Sequence, residues 1–258
     1  MSAGFLTKLN IFLKSTKLFK NWYVYPLVYF KLTKKDHVIF QTKTGLKIKI
    51  RVNSTDLMAL THVWMIQEYS NSDFEINDSD IVIDVGAHIG LFALFASQFC
   101  KRGKIFCFEP IKENYELLVE NINSNKIKNI IPFNFAVSKI SDSVKIFLND
   151  DYSGHSMFLE TNNFVIVKSK SLLDIFSENN IQECNFLKLD CEGAEYDIIN
   201  SLPSDFLNKI KKSVIEYHLA DTHPQLLEQL IKKLRKHSFI VNTRPLFSDI
   251  GFLFANKK

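Results

Sequence analysis

The chain predicts an α/β fold: a Rossmann-like, seven-stranded, mostly parallel sheet with helices on both faces, preceded by a helical and hairpin extension. Three observations carry this expectation. From residue 81 onward, short apolar runs alternate with segments of helical period, the pattern that builds parallel strands joined by right-handed crossovers. The run Ile81–Val85 ends in a glycine turn, Gly86-Ala87-His88-Ile89-Gly90, and an apolar helical segment follows at once. The next apolar run, Phe106-Cys107-Phe108, ends in Glu109-Pro110. Strand tips of this kind line the crevice in which open α/β sheets take their ligands.

Residues 4–20 have helical periodicity, with Phe5, Leu9, Phe12, Leu13 and Phe19 on one stripe and Lys14 and Lys17 opposite. Such a helix either packs on the domain or rests on an anionic membrane or a partner. Residues 37–52 alternate around Thr44-Gly45 and predict a hairpin with strands at 38–41 and 46–51. Thr55 to Tyr69 has a helical pattern, and the polar stretch Asn71–Asp80 leads into the main domain. Residues 1–70 are thus expected to form an accessory segment, and 71–258 the principal domain. Strands are expected near 81–85, 104–108, 130–136, 185–190, 212–217, 238–242 and 251–255. Helices are expected near 90–101, 112–124, 171–178, 194–201 and 223–236. The segment 143–168 interrupts the alternation with two extra strand-like runs, 144–148 and 164–167, around the polar loop 150–156.

Composition narrows the class. The 258 residues are 46% hydrophobic and 13% aromatic, enough core for one sizeable α/β domain with a short appendage. The net charge is +4, but residues 1–35 hold seven Lys and no Asp or Glu, so the remainder carries −3. The body is slightly acidic, and no nucleic-acid partner is expected. Cys100, Cys107, Cys184 and Cys191 have no C-x-x-C spacing. Cys100, Cys107 and Cys184 fall in or beside apolar elements and read as buried thiols of a reducing cytoplasm, and neither a metal cluster nor a disulfide framework is expected. Lys8, Lys14, Lys17 and Lys20 break up any apolar leader. Trp22–Phe30 falls far short of the roughly 20 apolar residues that cross a bilayer. The expected location is cytoplasmic, with peripheral membrane contact through residues 1–35 as the alternative use of the basic segment.

The glycine spacing is Gly86-x-x-x-Gly90, not the G-x-G-x-x-G of dinucleotide sites, and Asp84 precedes the turn. A carboxylate there suits a ligand bearing an ammonium group better than a pyrophosphate. S-adenosyl-L-methionine, with its aminoacyl ammonium, sulfonium and ribose, meets that description. Gly86 and Gly90 let the backbone approach such a ligand, Ala87 and His88 complete the loop, and Glu109, followed by Pro110, can accept hydrogen bonds from both ribose hydroxyls. Ala136, within Asn134–Ser138 at the end of the third strand, would border an adenine. An acidic cap on an ordinary strand–turn–helix accounts for the first loop but leaves Glu109 unexplained.

A second constellation is Leu189-Asp190-Cys191-Glu192-Gly193-Ala194-Glu195. Three carboxylates at the tip of a buried strand repel one another and lose solvation, which raises the pKa of at least one. Functional sites are built this way. Helix capping explains Glu195 but not Asp190 or Glu192, which precede the helix. Val214–His218 closes the next strand, so Glu216 or His218 can face the same cleft, although a lone His at a strand end is more often structural. The candidates for taking a proton from an acceptor hydroxyl are Glu192 ahead of Asp190, then Glu216 or His218. Asp190 also stands near the cofactor. A divalent cation held by the same carboxylates is a further reading.

These elements resemble the FkbM family of S-adenosylmethionine-dependent methyltransferases. The residues that carry the resemblance are Ile83–Gly90, Phe108-Glu109-Pro110, Ala136-Val137-Ser138, Leu189–Glu195 and Glu216-Tyr217-His218, spread over roughly residues 60–255. The D-x-E-G-x-E element is the specific part. His88 is a departure, since the family more often has Asn there. The resemblance implies a class I methyltransferase fold with an antiparallel last strand. It implies Asp84 and Gly86 on the aminoacyl part of the cofactor and Glu109 on its ribose. It also implies transfer to an oxygen, a small-molecule or glycan hydroxyl. Two other readings compete. A nicotinamide-dependent oxidoreductase would use Glu109 on a ribose, but the missing third glycine and the 184–195 element oppose it. A non-catalytic membrane-surface module docking through residues 1–35 leaves the acidic cluster without a purpose.

Overall fold

The computed structural model describes residues 5–148 and 162–257. The side chain of Phe5 and the loop 150–156 lie outside the described residues. In chain order the elements are α1 (Phe5–Leu18), α2 (Val24–Tyr29), the hairpin β1 (His37–Gln41) and β2 (Lys47–Arg51), and α3 (Asp56–Leu60), which runs into a π-helical turn, Thr61–Ile66. Then come β3 (Ile81–Val85), α4 (Leu91–Ala96), β4 (Lys104–Phe108), α5 (Lys112–Ser124), β5 (Ile130–Phe133), β6 (Ala136–Ser138), β7 (Asp142–Phe147) and β8 (Phe164–Ser171). The chain ends with α6 (Leu172–Glu178), β9 (Cys184–Leu189), α7 (Glu195–Ser201), α8 (Ser204–Leu207), β10 (Ile210–Tyr217), α9 (Pro224–Lys236), β11 (Phe239–Pro245) and β12 (Gly251–Lys257).

Seven strands form one sheet in the order β11-β12-β10-β9-β3-β4-β5. It is parallel except for β12, which runs against both neighbours. The chain leaves β3 toward β4 and β5, then returns on the other side of β3 as β9. That reversal opens a crevice above the tips of β3 and β9. Val82 and Phe186 pack into one apolar layer, and Ile83 and Leu187 into the other. Strands buried on both faces read as near-continuous apolar runs, which is why these runs stand out in the sequence.

Phe40, Ile48, Ile50, Leu60 and Trp64 of the N-terminal 70 residues share one apolar cluster with Val82 and Phe186 of the sheet and Phe92 of α4. Asn121 on α5 ties the hairpin down, accepting from Lys49 N–H at 2.8 Å and donating to Lys49 O at 3.1 Å. The extension thereby becomes a wall beside the sheet's carboxyl edge. No helix among the described residues is long and apolar enough to cross a membrane.

Three local expectations are corrected. The strand expected over 130–136 ends at Phe133, because Asn134 Nδ2 donates to Glu109 O and Pro110 O and turns the chain off the sheet. Ala136–Ser138 then joins β8, in a small sheet with β7. The helix expected over 90–101 stops at Ala96, where Gln98 N–H and Phe99 N–H bond back three residues and tighten the end into turns. The helix expected over 55–69 changes to π geometry at Thr61 and ends at Gln67, whose φ is +59°. The apolar run Trp22–Phe30 contains α2, whose Pro26 lies in the first turn, where its missing N–H is not needed.

Candidate active site

The cleft lies over the tips of β3, β4, β9 and β10 and is closed on its far side by residues of 55–69. Gly86, Ala87, His88, Glu109, Pro110, Ala136, Asp190, Glu192 and Glu216 line it; Asp84, Gly90 and His218 do not.

The two glycines serve the protein before any ligand. Gly86 has φ +73°, and a Cβ there would lie 1.8 Å from the carbonyl oxygen of Asp190. It lets the tip of β3 touch the tip of β9, where Asp190 N–H donates to Val85 O at 3.2 Å. Gly90 has φ +86°, and a Cβ there would lie 2.5 Å from Cδ1 of Leu118. Both positions are crowded by this chain's own backbone and core, so the fold requires these glycines whatever ligand approaches them. Gly86→Ala combines a left-handed backbone with a clash against a main-chain oxygen. It should lose about 2–4 kcal/mol, read as a fall of roughly 5–15 °C in the thermal midpoint. A melting curve like that of the wild type contradicts this.

Glu109 directly follows β4 and is almost fully buried. Its Oε2 accepts from His88 N–H at 2.8 Å and its Oε1 from Ile111 N–H at 3.0 Å. Burial pushes the carboxyl up to about 7, outweighing those two donors and the nearby Asn114. A carboxyl raised in this way is protonated below about 7 and ionised above it. Hydroxyl donors bind the ionised form, so nucleoside affinity should rise with pH up to about 7. Below that it falls by up to tenfold per pH unit. Calorimetric titration of S-adenosylhomocysteine from acid to neutral pH checks this, and Glu109→Gln should flatten the profile. A wild-type profile that is already flat contradicts the assignment.

His88 adopts φ +51°. Its ring Nε2 accepts from Arg51 Nη2 at 3.1 Å, with Asp56 Oδ1 3.4 Å away. Burial lowers its pKa to about 4, with Asp56 opposing and Arg51 assisting. The ring is therefore neutral and can accept. Arg51 at the end of β2 also grips Asp56 through Nε and Nη2 at 2.9 and 2.8 Å. The hairpin thus braces the glycine loop.

Asp84 is fully buried and pairs in register with Lys188 on β9. Lys188 Nζ lies 3.1 Å from Asp84 Oδ1 and 3.5 Å from Asp190 Oδ2, and donates to Gly86 O at 2.8 Å. Burial opposes the lysine's charge, but Asp84 and Asp190 outweigh it and hold its pKa above the usual range. Burial also raises the Asp84 carboxyl, with Lys188 opposing. The expected direct contact between Asp84 and a ligand ammonium is therefore corrected. Asp84 sits beneath the cleft floor and anchors Lys188, which lines the cleft.

The hydroxyl oxygen of Tyr69 lies 2.9 Å from Asp190 Oδ2 and 2.9 Å from Glu216 Oε2. A phenol has one proton to give, so one carboxyl must bring its own. Burial and the Asp190 charge push Glu216 up to about 8. Asp190 is held below its usual range: burial works against this, and Lys188 and then His218 prevail. Of the two carboxyls that Tyr69 bridges, Glu216 is the one that takes up a proton more readily and Asp190 the one held as an anion.

Glu192 faces the cleft with φ +53°. Its Oε2 is 3.4 Å from His218 Nε2. Glu195 is fully buried; its Oε2 accepts from Gly193 N–H at 2.8 Å, and its Oε1 accepts from His218 N–H at 2.9 Å and lies 3.2 Å from the ring Nδ1. Burial opposes protonation of His218, but the Glu195 hydrogen bond and charge prevail, with Glu192 assisting, and raise it to about 10. The imidazole expected as a second-choice base is thus a cation clamped between two carboxylates. Donor atoms of Asp190, Glu216 and His218 lie within 4.8 Å of one another, but Lys188, Tyr69 and Glu195 already engage them.

Sequence reasoning missed Lys188, Tyr69 and the His62–Glu68 pair, whose Nδ1 and Oε2 are 3.0 Å apart on the cleft wall. Lys188 carried a signal, a lone cation inside Phe186-Leu187-Lys188-Leu189, because a buried lysine needs a carboxylate. Tyr69, His62 and Glu68 carried none, because the π turn and the bend after it set their direction.

The strand order, with β12 antiparallel to both neighbours, is that of the class I methyltransferase fold. The chain belongs to the FkbM methyltransferase family: the Methyltransferase FkbM domain matches residues 84–241. S-adenosylmethionine is the cofactor that goes with this family, and the buried Glu109 carboxylate on the cleft wall suits its ribose. The chain is 22% identical over 161 residues to Methyltransferase 1 of Beauveria bassiana, covering 54% of this chain and 65% of that protein, just under two thirds of its length. It is 22% identical over 217 residues to 31-O-demethyl-FK506 methyltransferase FkbM of Streptomyces tacrolimicus, covering 70% of this chain and 81% of that protein. Among solved structures, the Methanococcus jannaschii fibrillarin pre-rRNA processing protein superposes with a TM-score of 0.49 at 10% identity, covering 86% of this chain and 83% of that one.

Proposed function

We propose that this protein methylates an oxygen, a hydroxyl of a sugar, a glycan or a related small metabolite, with Glu192 as the proton acceptor. The observation that carries this reading is the cleft itself, which has Glu109 on one wall and the group Asp190, Glu192 and Glu216 on the other. The name of the Streptomyces tacrolimicus relative, which describes an O-demethyl substrate, supports an oxygen acceptor. When bound, S-adenosylmethionine supplies a methyl group whose C–S bond breaks as a C–O bond to the acceptor forms.

The chain's own residues do the rest. Lys188 fixes Asp190 as an anion, and the Glu216–Tyr69 relay fixes its orientation. The His218 cation holds Glu192, which takes the acceptor's hydroxyl proton. A hydroxyl is a weak nucleophile, and such base assistance contributes about 10²–10⁴-fold. Met58, Ala59 and Val63 add apolar surface to the opposite wall, against which a sugar ring can lie. The nicotinamide reading is weakened by the same loop, in which Gly86 is crowded by Asp190 O where a dinucleotide fingerprint leaves room for a pyrophosphate.

The test has two arms. Calorimetry with S-adenosylhomocysteine and with NADH should give binding to the first alone. Incubation with S-adenosylmethionine and a panel of sugars and hydroxylated metabolites should give a product whose added methyl is located on oxygen by NMR. A methyl found on nitrogen or carbon, or binding of NADH alone, overturns the reading.

A further inference from the structure

Among the described residues, eighteen large apolar side chains are exposed, and eight of them fall between Leu9 and Leu32. Soluble surfaces carry such residues singly, whereas contiguous patches mark interaction sites. These eight are grouped by the fold. Along α2 and its two caps, Tyr23, Leu27 and Phe30 follow helical spacing on the outer side, while Tyr25 and Val28 are buried on the inner side. Phe30 stacks on Phe12 of α1 at 6.2 Å between ring centroids, and Leu9 and Leu13 flank Phe12 in sequence, both exposed. Leu32, 69% exposed, follows directly, its N–H bonded to Leu27 O. The pair of helices is fixed to the body from behind. Lys14 Nζ donates to Met65 O at 2.8 Å, and Phe19 pairs with Thr42 beside the hairpin. The outer face therefore projects from the domain on a firm base.

The charge around this face has one sign. Lys8, Lys17, Lys20, Lys31, Lys34 and Lys35 accompany it, and no acidic residue occurs before Asp36. We propose that α1 and α2 dock this protein peripherally on an anionic lipid bilayer. Leu13, Leu27 and Phe30 enter the acyl boundary, Trp22 and Tyr23 lie at headgroup depth, and the lysines contact acidic headgroups. Amphipathic aromatics favour that depth, and lysines clustered at an anionic surface add attraction that salt weakens. An acidic protein would be matched by the lysines but not by leucine and phenylalanine protruding beyond them. None of these side chains lines the cleft that holds Glu109 and Glu192, so the inference stands whatever the methyl acceptor is.

The test is sedimentation of the full chain with vesicles of phosphatidylcholine alone and of phosphatidylcholine with phosphatidylglycerol, at low and high salt. Binding should favour the anionic vesicles by about tenfold or more and fall as salt rises. Trp22 is exposed and Trp64 buried, so the fluorescence blue shift on vesicle addition should vanish in Trp22→Phe. The double variant Leu27→Asp/Phe30→Asp and the triple variant Lys31→Glu/Lys34→Glu/Lys35→Glu should each lose vesicle binding while keeping S-adenosylhomocysteine affinity, which shows that they fold. Failure to bind anionic vesicles at low salt overturns the proposal, as does equal binding to both vesicle types or binding that survives both variants. A lipid-free dimer that shields Trp22 assigns the face to a second copy and overturns it as well.

Discussion

Replacing Glu192 by Gln is expected to lower turnover by about 10²–10⁴-fold while leaving S-adenosylhomocysteine affinity near that of the wild type. The substitution keeps shape and polarity, removes the proton acceptor, and leaves Glu109 and the glycine loop untouched. The backbone supports the assignment. Glu192 holds φ +53° between Cys191 and Gly193, a conformation disfavoured by about 1–3 kcal/mol for a residue with a Cβ. Asn or Gly would relieve that strain, so a glutamate kept in it serves the cleft and not the turn. Its partner is fixed from behind, because Glu195 and Glu192 hold His218 from opposite ring nitrogens. Turnover that survives in Glu192→Gln while cofactor affinity collapses would move Glu192 to the cofactor side of the cleft.

Replacing Lys188 by Met is expected to give the largest loss of stability. The lysine is 3% exposed and neutralises Asp84 beneath it and Asp190 above it. Removing one partner of a buried ion pair leaves an uncompensated charge in the core, which costs about 3–5 kcal/mol. For a chain of this size that is a fall of roughly 6–20 °C in thermal midpoint. Much of the loss should be recovered in Lys188→Met/Asp84→Asn, because the double variant removes the stranded charge along with its partner. The ion pair's contribution is also pH-dependent. Burial raises the Asp84 carboxyl, so acidification protonates it readily, and the destabilisation of Lys188→Met should shrink toward low pH. A variant as stable as the wild type, or a double variant worse than the sum of its parts, contradicts this account.

Much of this architecture was legible in the sequence, and the legible part shares one physical cause. Ile81–Val85, Lys104–Phe108 and Cys184–Leu189 are buried over most of their length, and the second half of Ile210–Tyr217 likewise, so their sequences are dominated by apolar residues. The carboxylates at their tips stand out against that background, which is how Glu109, Asp190, Glu192 and Glu216 were found. The misses come from tertiary relations that no local pattern records. Gly86 is required by the backbone of a residue more than a hundred positions away, Asp190. Asp84 faces Lys188 only because β3 and β9 become neighbours. Tyr69 reaches Asp190 and Glu216 only because the helix from Asp56 changes to π geometry and then turns at Gln67. His218 lay at the expected strand end, but its proton affinity depends on Glu195, a residue that helix capping explained from sequence.

The most direct test of the account is a crystal structure with S-adenosylhomocysteine bound. Both ribose hydroxyls should lie within hydrogen-bond distance of Glu109. The adenine should stand beside Ala136, and the thioether sulfur should face Asp190 and Glu192 across open space for an acceptor. A nucleoside bound elsewhere, or one in this crevice with Glu109 turned away and its sulfur buried against the glycine loop, would contradict it.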